Sequence, residues 1–206
     1  MDGPEPSDEA LEARWKEGSA PAFAVLFQRW HEKAYGFALR LTNDRHLAED
    51  LAQRAFLNIY KKPPPGTGRA GFKTLLFTVV RNEALNELKR RGRRREGTLE
   101  HAPEAADRRD RPDDQAGRDE EARRVRAALA QLPEDERELV LLRGAEGLTF
   151  REVCETTGLT RDTVRWRLAR GLDRLKRLLE QKTGPGEDRQ EEGKQGPSWT
   201  ATAPTS

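Results

Sequence analysis

Four arginines recur at short intervals in the last third of the chain, and their chemistry suits nucleic acid. Arg161, Thr163, Arg165, Trp166, Arg167 and Arg170 form one short segment. A guanidinium group can form bidentate hydrogen bonds with a guanine edge or pair with a phosphate, and a threonine hydroxyl near a helix N-terminus can donate to a phosphate. We therefore take all six as candidates for contact with duplex DNA. For an isolated arginine-rich helix, however, a solvated basic surface is the more frequent explanation, so the surrounding elements decide.

Those elements have the spacing of a helix-turn-helix over Leu148–Leu172. Thr149 can cap a first helix, and Glu152 three residues later completes a capping box. Gly158 allows the positive φ of a tight turn, and Thr160 is an N-cap candidate for the second helix. The buried side of the second helix is predicted to consist of Val164, Leu168 and Leu172. The residues then turned away from the apolar stripe are Arg161, Arg165, Trp166, Ala169 and Arg170. Trp166 could pack on the helix, touch a base or sugar, or meet a protein partner.

The composition excludes several classes of protein. Of 206 residues, 34% are hydrophobic and 36% are charged, which favours two small helical modules over one large core. The single cysteine, Cys154, excludes a disulfide scaffold and is predicted to be a small buried hydrophobe. Neither a signal peptide nor an apolar run of about 20 residues, the length that crosses a bilayer, is recognisable. We expect a cytoplasmic protein without membrane insertion.

The sequence does not support an enzyme. His31, His46 and His101 are scattered, and no Cys/His cluster has the spacing of metal ligands. No glycine-rich loop follows a strand. We expect no catalytic residue, no metal and no cofactor.

Charge is strongly segregated along the chain. Arg81–Arg95 has seven basic and two acidic residues, and Arg161–Lys182 has eight basic and three acidic residues. Between them, Glu96–Glu120 has four basic and nine acidic residues, and Met1–Ala20 is also acidic. Because phosphate neutralisation needs local positive charge, this pattern predicts contact with nucleic acid at two places.

The periodicity predicts helices and no convincing strand. A first amphipathic helix has the apolar stripe Phe23, Phe27, Trp30, Ala34, Phe37 and Leu41. Asn43 or Asp44 can cap a second helix, whose buried side is Leu47, Leu51, Ala55 and Ile59. Prolines and glycines exclude a helix from Lys61 to Gly71. A third helix is predicted from about Phe72 to Arg91, with Phe72, Leu76, Val79 and Val80 inward.

The C-terminal half is predicted to begin with a linker and to continue with a second helical module. Residues 96–120 carry charge and prolines but few apolar side chains, which predicts a flexible linker. Glu134–Arg143 is predicted to form a helix that supports the helix-turn-helix. The predicted organisation is an acidic N-terminal segment (1–20), a helical module (21–95), the linker (96–120), a helix-turn-helix module (121–182) and a disordered tail (183–206).

Four segments carry a family resemblance. They are AEDLAQRAFL (Ala48–Leu57), LFTVVRN (Leu76–Asn82), LPEDERELVLLRGAEGLTFREV (Leu132–Val153) and TVRWRLARGLDRL (Thr163–Leu175). In order and spacing they resemble the extracytoplasmic-function (ECF) group of bacterial RNA polymerase sigma factors. The resemblance covers about residues 21–95 and 121–182. It implies an all-α protein whose first module is region two and whose second is region four.

The resemblance also implies partners. In that family the helix matching Asp44–Tyr60 binds the coiled coil of the polymerase β′ subunit, so the polymerase-binding candidates are Glu49, Asp50, Gln53 and Arg54. A solvated helix face is the alternative for these residues. The family's further partners are the polymerase β flap, promoter DNA and, in many members, an anti-sigma factor.

Promoter roles follow in the same way. The family's region two opens the minus-ten element and traps a flipped base in a loop like Lys61–Gly71. The minus-ten candidates are Lys61, Lys62, Arg81, Asn82, Asn86, Lys89, Arg90 and Arg91. Region four reads the minus-thirty-five, or upstream, element with the six residues between Arg161 and Arg170.

The chain departs from the family at three places. Leu75-Leu76 stands where Trp-Leu is frequent, Asn86 stands where aspartate is frequent, and Trp166 replaces a small polar residue. The alternative function is a stand-alone helix-turn-helix regulator, which would not explain AEDLAQRAFL or the proline-rich loop.

Overall fold

The fold is all-α throughout the part of the chain that the structure, a computed structural model, describes: residues 5–62, 71–96 and 116–181. The helices are α1 (Asp8–Lys16), α2 (Ala20–Thr42), α3 (Arg45–Lys61), α4 (Phe72–Glu96), α5 (Ala116–Ala130), α6 (Glu134–Val140), α7 (Phe150–Thr157) and α8 (Arg161–Gln181). A π-helical turn, Leu141–Ala145, follows α6 directly. The predicted fold class is confirmed. In the described ranges no helix combines the length and hydropathy needed to span a membrane.

Helices α2, α3 and α4 pack around a common apolar core. The predicted stripe of α3 is buried throughout, and so is that of α2 except for Phe27, which lies at the edge of the core against Phe56. Asn43 ends α2 in the left-handed conformation, and the Asp44 carboxylate accepts a hydrogen bond from the backbone N–H of Leu47. Both candidate capping residues therefore act, one at each side of the turn.

The N-terminal segment contains a helix that the sequence analysis missed. Trp15 of α1 is only 4% exposed and packs against Phe23 and Phe72, with ring centroids 5.1 and 6.2 Å away. The buried carboxylate of Glu12 accepts a hydrogen bond from the backbone N–H of Phe72 at 2.9 Å. Since this amide belongs to the first turn of α4, Glu12 satisfies a donor that the helix itself leaves free. Residues 8–16 thus belong to the core of the first helices, not to a separate acidic segment.

The predicted linker has other boundaries in the structure. Helix α4 continues to Glu96, five residues past the predicted end, and buries Phe77 as well as the predicted Phe72, Leu76 and Val80. Helix α5 begins at Ala116, inside the segment predicted to be a linker. Residues 63–70, most of the proline-rich loop, and 97–115 lie outside the described residues, as does the predicted tail from residue 183.

The helix-turn-helix has the predicted local structure. The Thr149 side chain accepts from the backbone N–H of Glu152, and the Glu152 carboxylate accepts from the backbone N–H of Thr149, which confirms the capping box. Gly158 ends α7 with φ of +69°, and the Thr160 hydroxyl accepts from the backbone N–H of Thr163. Cys154 is half-buried rather than fully buried. Helix α6 is shorter than predicted because the π-helical turn replaces its last residues.

The buried stripe of α8 differs from the prediction at one position. Val164 and Leu168 are buried, but Leu172 is 48% exposed. Gly171 takes the next buried place and lies against α6. Leu172 is one residue and about 100° further round the helix, so it lies off this contact with α6. The prediction that Leu172 is buried is wrong for this reason.

A substitution pair tests the packing at Gly171. A Cβ there would lie 3.0 Å from Val140 Cγ2 and 3.3 Å from the Glu136 carbonyl oxygen. We expect Gly171→Val to lower the free energy of unfolding by about 1–3 kcal/mol, the usual cost of overpacking. The control is Gly92→Ala in α4, where a Cβ meets nothing within 4 Å. This change should be neutral or stabilise by about 0.5–1 kcal/mol. Equal effects in urea unfolding would contradict the close contact of α6 and α8.

Candidate nucleic-acid and partner interfaces

The exposed side of α8 begins at its N-terminus. Arg161, Arg165 and Trp166 are exposed there, and the Thr163 hydroxyl lies 2.8 Å from that of Thr160. Neither Arg161 nor Arg165 forms an ion pair within the described ranges. Their guanidinium groups can therefore bind phosphates or base edges without first breaking an internal contact.

Two other arginines of α8 are held by acidic residues of α6. Arg167 Nη1 lies 3.4 Å from Asp135 Oδ2, and Arg170 Nε lies 3.4 Å from Glu136 Oε1. The Arg170 guanidinium also stacks on the indole of Trp166, 4.5 Å from the ring centroid. The six candidates thus lie around the part of α8 that its buried residues leave free, and they differ in how freely they can reach DNA.

A second polar face lies on α4. Asn82, Asn86 and Lys89 are exposed and follow one another by four and three residues, which places them on one side of the helix. Arg90 and Arg91 are also exposed, but both bind Glu87, at 2.8 and 3.2 Å. The hydrogen bond from Arg90 holds the pKa of Glu87 below its usual value, although burial of the carboxyl opposes this.

Arg91 also joins α4 to the start of α3. Its Nη1 lies 2.8 Å from Asp44 Oδ2. Burial acts to raise the pKa of Asp44, but hydrogen bonds from the Leu47 N–H and from Arg91 outweigh it, so this pKa is lowered. Asp44 is therefore an ionised capping residue that also restrains Arg91.

Arg81 lies on a different side of α4 from the exposed candidates and faces the C-terminal helices. Its Nε and Nη2 bind the two carboxylate oxygens of Glu138 in α6 at 2.8 and 3.0 Å. Glu138 is 3% exposed, and burial raises its pKa although the ion pair with Arg81 opposes this. Its Nη1 also donates to Asn82 Oδ1 at 3.1 Å, so Arg81 contacts Asn82 but is held against α6 rather than on the exposed side with Asn86 and Lys89.

Further contacts join the first group of helices, α1–α4, to the second group, α5–α8. Arg40 of α2 pairs with Glu146, and Lys73 Nζ donates to the carbonyl oxygen of Gly147 at 3.2 Å. Burial raises the pKa of Glu146, again against the effect of its arginine. In this conformation α2 and α4 are thus fastened to the segment between α6 and α7.

The exposed side of α3 contains the polymerase candidates. Glu49, Asp50 and Gln53 are exposed, and Arg54 is half-exposed, with its Nη2 3.0 Å from Asp50 Oδ2. Leu57 continues the row of Glu49 and Gln53 by one more helical turn and is 53% exposed. Leu57 was not among the predicted interface residues, although its position outside the buried stripe of α3 was a usable signal. Lys61 and Lys62 are exposed at the end of this helix.

Comparison with known proteins adds two family matches. The family model of sigma-70 region 2 matches residues 26–94, and that of sigma-70 region 4 matches residues 122–175. RNA polymerase sigma-H factor of Pseudomonas aeruginosa is 31% identical, over 84% of this chain and 94% of that protein. ECF RNA polymerase sigma factor SigE of Mycolicibacterium smegmatis is 33% identical, over 85% of this chain and 70% of that protein.

The fold has a counterpart among solved structures. The sigma factor RpoE of Bartonella quintana, in its co-crystal structure with the anti-sigma factor NepR, aligns with a TM-score of 0.60 and 25% identity. The alignment covers 77% of this chain and 96% of that one. These matches do not favour the alternative of a stand-alone regulator. The chain belongs to the ECF group of bacterial RNA polymerase sigma factors.

Proposed function

We propose that the chain binds core RNA polymerase through α3, holds the minus-ten element on α4 and reads the upstream element with α8. The observation that carries this division is the separation of three exposed faces: an acidic and apolar one, a mixed amide and basic one, and an arginine-rich one. In this proposal the chain acts only by binding, and the polymerase catalyses RNA synthesis. The site of action is the cytoplasm.

The face of α3 suits a protein partner better than DNA. Glu49 and Asp50 would repel phosphates, whereas Leu57 adds apolar surface next to Gln53. Protein–protein interfaces usually combine apolar contacts with polar groups beside them. This supports contact with the β′ coiled coil, with Arg54 at the edge and engaged by Asp50.

The face of α4 suits promoter DNA around the minus-ten element. Asn82 and Asn86 provide amides that can pair with base edges, and Lys89 adds a charge for the backbone. Lys61 and Lys62 would enter the same region from the end of α3. Arg90 and Arg91 add positive charge, but their acidic partners make them weaker phosphate ligands than Lys89.

Arg165, which has no ion pair in the described ranges, gives the first test of the proposal that α8 reads the upstream element. We expect Arg165→Ala to cost about 1–3 kcal/mol of discrimination between the preferred upstream element and a scrambled one, if the contact is bidentate to a base. Competition binding of the polymerase complex to both fragments measures it. The control is Arg151→Ala, because Arg151 is exposed on α7 and pairs with Glu155 of its own helix. A uniform loss on both fragments would mean that Arg165 contacts only phosphates.

While Arg81 of α4 is paired with Glu138 of α6, the chain cannot contact both promoter elements at once. Their centres are about 25 base pairs apart, or about 85 Å along B-DNA. A compact body of the size of the described ranges has a radius of gyration of about 15 Å. The helices must therefore separate on the promoter, which breaks the Arg81–Glu138 pair and frees Arg81 for the minus-ten element.

Removing the charge of Glu138 tests this separation. Truncating one partner of a buried ion pair costs several kcal/mol in the arrangement that buries it. We expect Glu138→Gln to increase the radius of gyration of the free chain in small-angle scattering, while Asp135→Asn on the exposed side of α6 leaves it unchanged. Combining Arg81→Glu with Glu138→Arg should restore compactness. Identical scattering of Glu138→Gln and the parent would contradict a fastening role for this pair.

An anti-sigma factor is a further proposed partner, supported by the complex of the related RpoE. It would have to cover the α3 face or keep the two groups of helices together.

A further inference from the structure

Among the six DNA-binding candidates of α8, Trp166 is the one whose side chain is not a usual ligand for phosphate. It is the sixth residue of the helix and is 58% exposed. Burying an indole is among the largest hydrophobic contributions that a single side chain makes. An indole in this position therefore gains most from a partner that covers its ring rather than from one that offers charge.

The indole is also held in place. The Arg170 guanidinium stacks 4.5 Å from the ring centroid and is itself paired with Glu136. Glu136 is buried and is approached from the next turn by Arg174, whose Nε lies 3.1 Å from its second oxygen. A cation over an aromatic face is attractive, so this chain of contacts orients the ring before any DNA arrives. The same contacts engage the Arg170 guanidinium with Glu136 and with the indole, so it is not free to bind a guanine without breaking them.

The position on the helix limits what the ring can meet. In a helix-turn-helix, the first residues of the second helix contact base edges in the major groove. An indole has one hydrogen-bond donor and no acceptor, so it matches the donor and acceptor pattern of a base edge poorly. The one apolar group that the major groove presents is the 5-methyl group of thymine.

We propose, on the basis of the DNA-binding role assigned to α8, that Trp166 recognises a thymine methyl group in the upstream element. In this arrangement Arg170 is a positioning residue for the indole. It does not read a base itself, in contrast to the expectation drawn from the sequence. Arg161 and Arg165, which precede Trp166 on the helix, provide the polar contacts.

Deoxyuridine, which lacks only the methyl group, gives the test. A promoter is first selected from a random library with the full chain and core polymerase. Each thymine of its upstream element, on either strand, is then replaced by deoxyuridine. We expect the parent to bind about fourfold more weakly at one position, the factor for losing one buried methyl group. Trp166→Ala should bind thymine and deoxyuridine equally at that position, and Arg170→Ala should reduce the difference.

Two controls separate recognition from stability. Leu172→Ala removes an exposed apolar side chain from the same helix and should keep the fourfold ratio. Arg170→Lys keeps the charge but loses the planar stack, so it should discriminate less than the parent while melting at the same temperature. A purely structural role of Arg170 would change the melting temperature and not the ratio.

The outcomes distinguish this proposal from the function on which it rests. If the library yields a preferred promoter but every deoxyuridine substitution is neutral, the methyl contact is wrong and promoter recognition stands. If the library yields no preferred promoter, the proposed function itself is wrong. If Trp166→Ala keeps the fourfold ratio but loses binding to an anti-sigma factor, the indole is a protein contact and the proposal is overturned.

Discussion

Replacing Trp15 by alanine should lower the free energy of unfolding by about 3–5 kcal/mol, the range for deleting a buried aromatic side chain. The indole is buried against Phe23 and Phe72, so its removal leaves a cavity between α1, α2 and α4. Glu12 would lose its fixed position beside the first turn of α4 at the same time. Urea unfolding followed by circular dichroism measures the loss.

Arg14 gives the matched control for this prediction. It lies on the same helix, one residue away, but is exposed, so Arg14→Ala should change the free energy of unfolding by no more than about 0.5 kcal/mol. If Trp15→Ala is as mild as Arg14→Ala, α1 does not belong to the core, and the predicted separate N-terminal segment would be the better description.

Replacing Leu57 by aspartate should weaken binding to core polymerase by about 10–100-fold, because a buried leucine contributes about 1.5–3 kcal/mol to an interface. The side chain is exposed in the free chain, so the melting temperature should not change. The double variant Asp50→Ala with Gln53→Ala should weaken the same interaction. Competition for fluorescently labelled core polymerase measures both.

The control places the same change on another exposed surface. Gln28→Asp on α2 adds the same acidic side chain at an exposed position outside the α3 face and should leave the affinity for core unchanged. An affinity that is unaffected in both the Leu57 and the double variant would remove α3 from the polymerase interface.

Local hydrogen bonding explains which features were predictable from the sequence. Asp44, Thr149 and Gly158 act within three or four residues of their own position, so their side chains or backbone freedom define the helix ends without reference to the rest of the fold. The apolar stripe of α3 was predictable for a similar reason, since its period is that of the helix.

Tertiary packing explains what was missed. Helix α1 has only two buried apolar residues in an acidic stretch. Their burial depends on contacts with α2 and α4, which no local pattern indicates. Leu172 was predicted to be buried because its spacing from Leu168 fits a helix face, but close packing on α6 gives that place to Gly171. The partner of Arg81 is 57 residues away in the sequence, so no local pattern could indicate it.

The DNA-binding candidates of α8 were also predictable only in part. Arg161 and Arg165 are exposed as predicted, at positions that the buried Val164 and Leu168 leave free. The restraint of Arg170 by Glu136 and Trp166 could not be predicted, because it depends on how α6 crosses α8.

The most direct measurement is transcription by purified core polymerase from a promoter library, with and without the full chain. With the chain present, we expect transcripts to start from promoters that share two sequence elements, and we expect Leu57→Asp to abolish most of this activity while Gln28→Asp retains it. If the chain binds duplex promoters alone and core polymerase gains no promoter selectivity from it, the assignment of a sigma-factor function is contradicted.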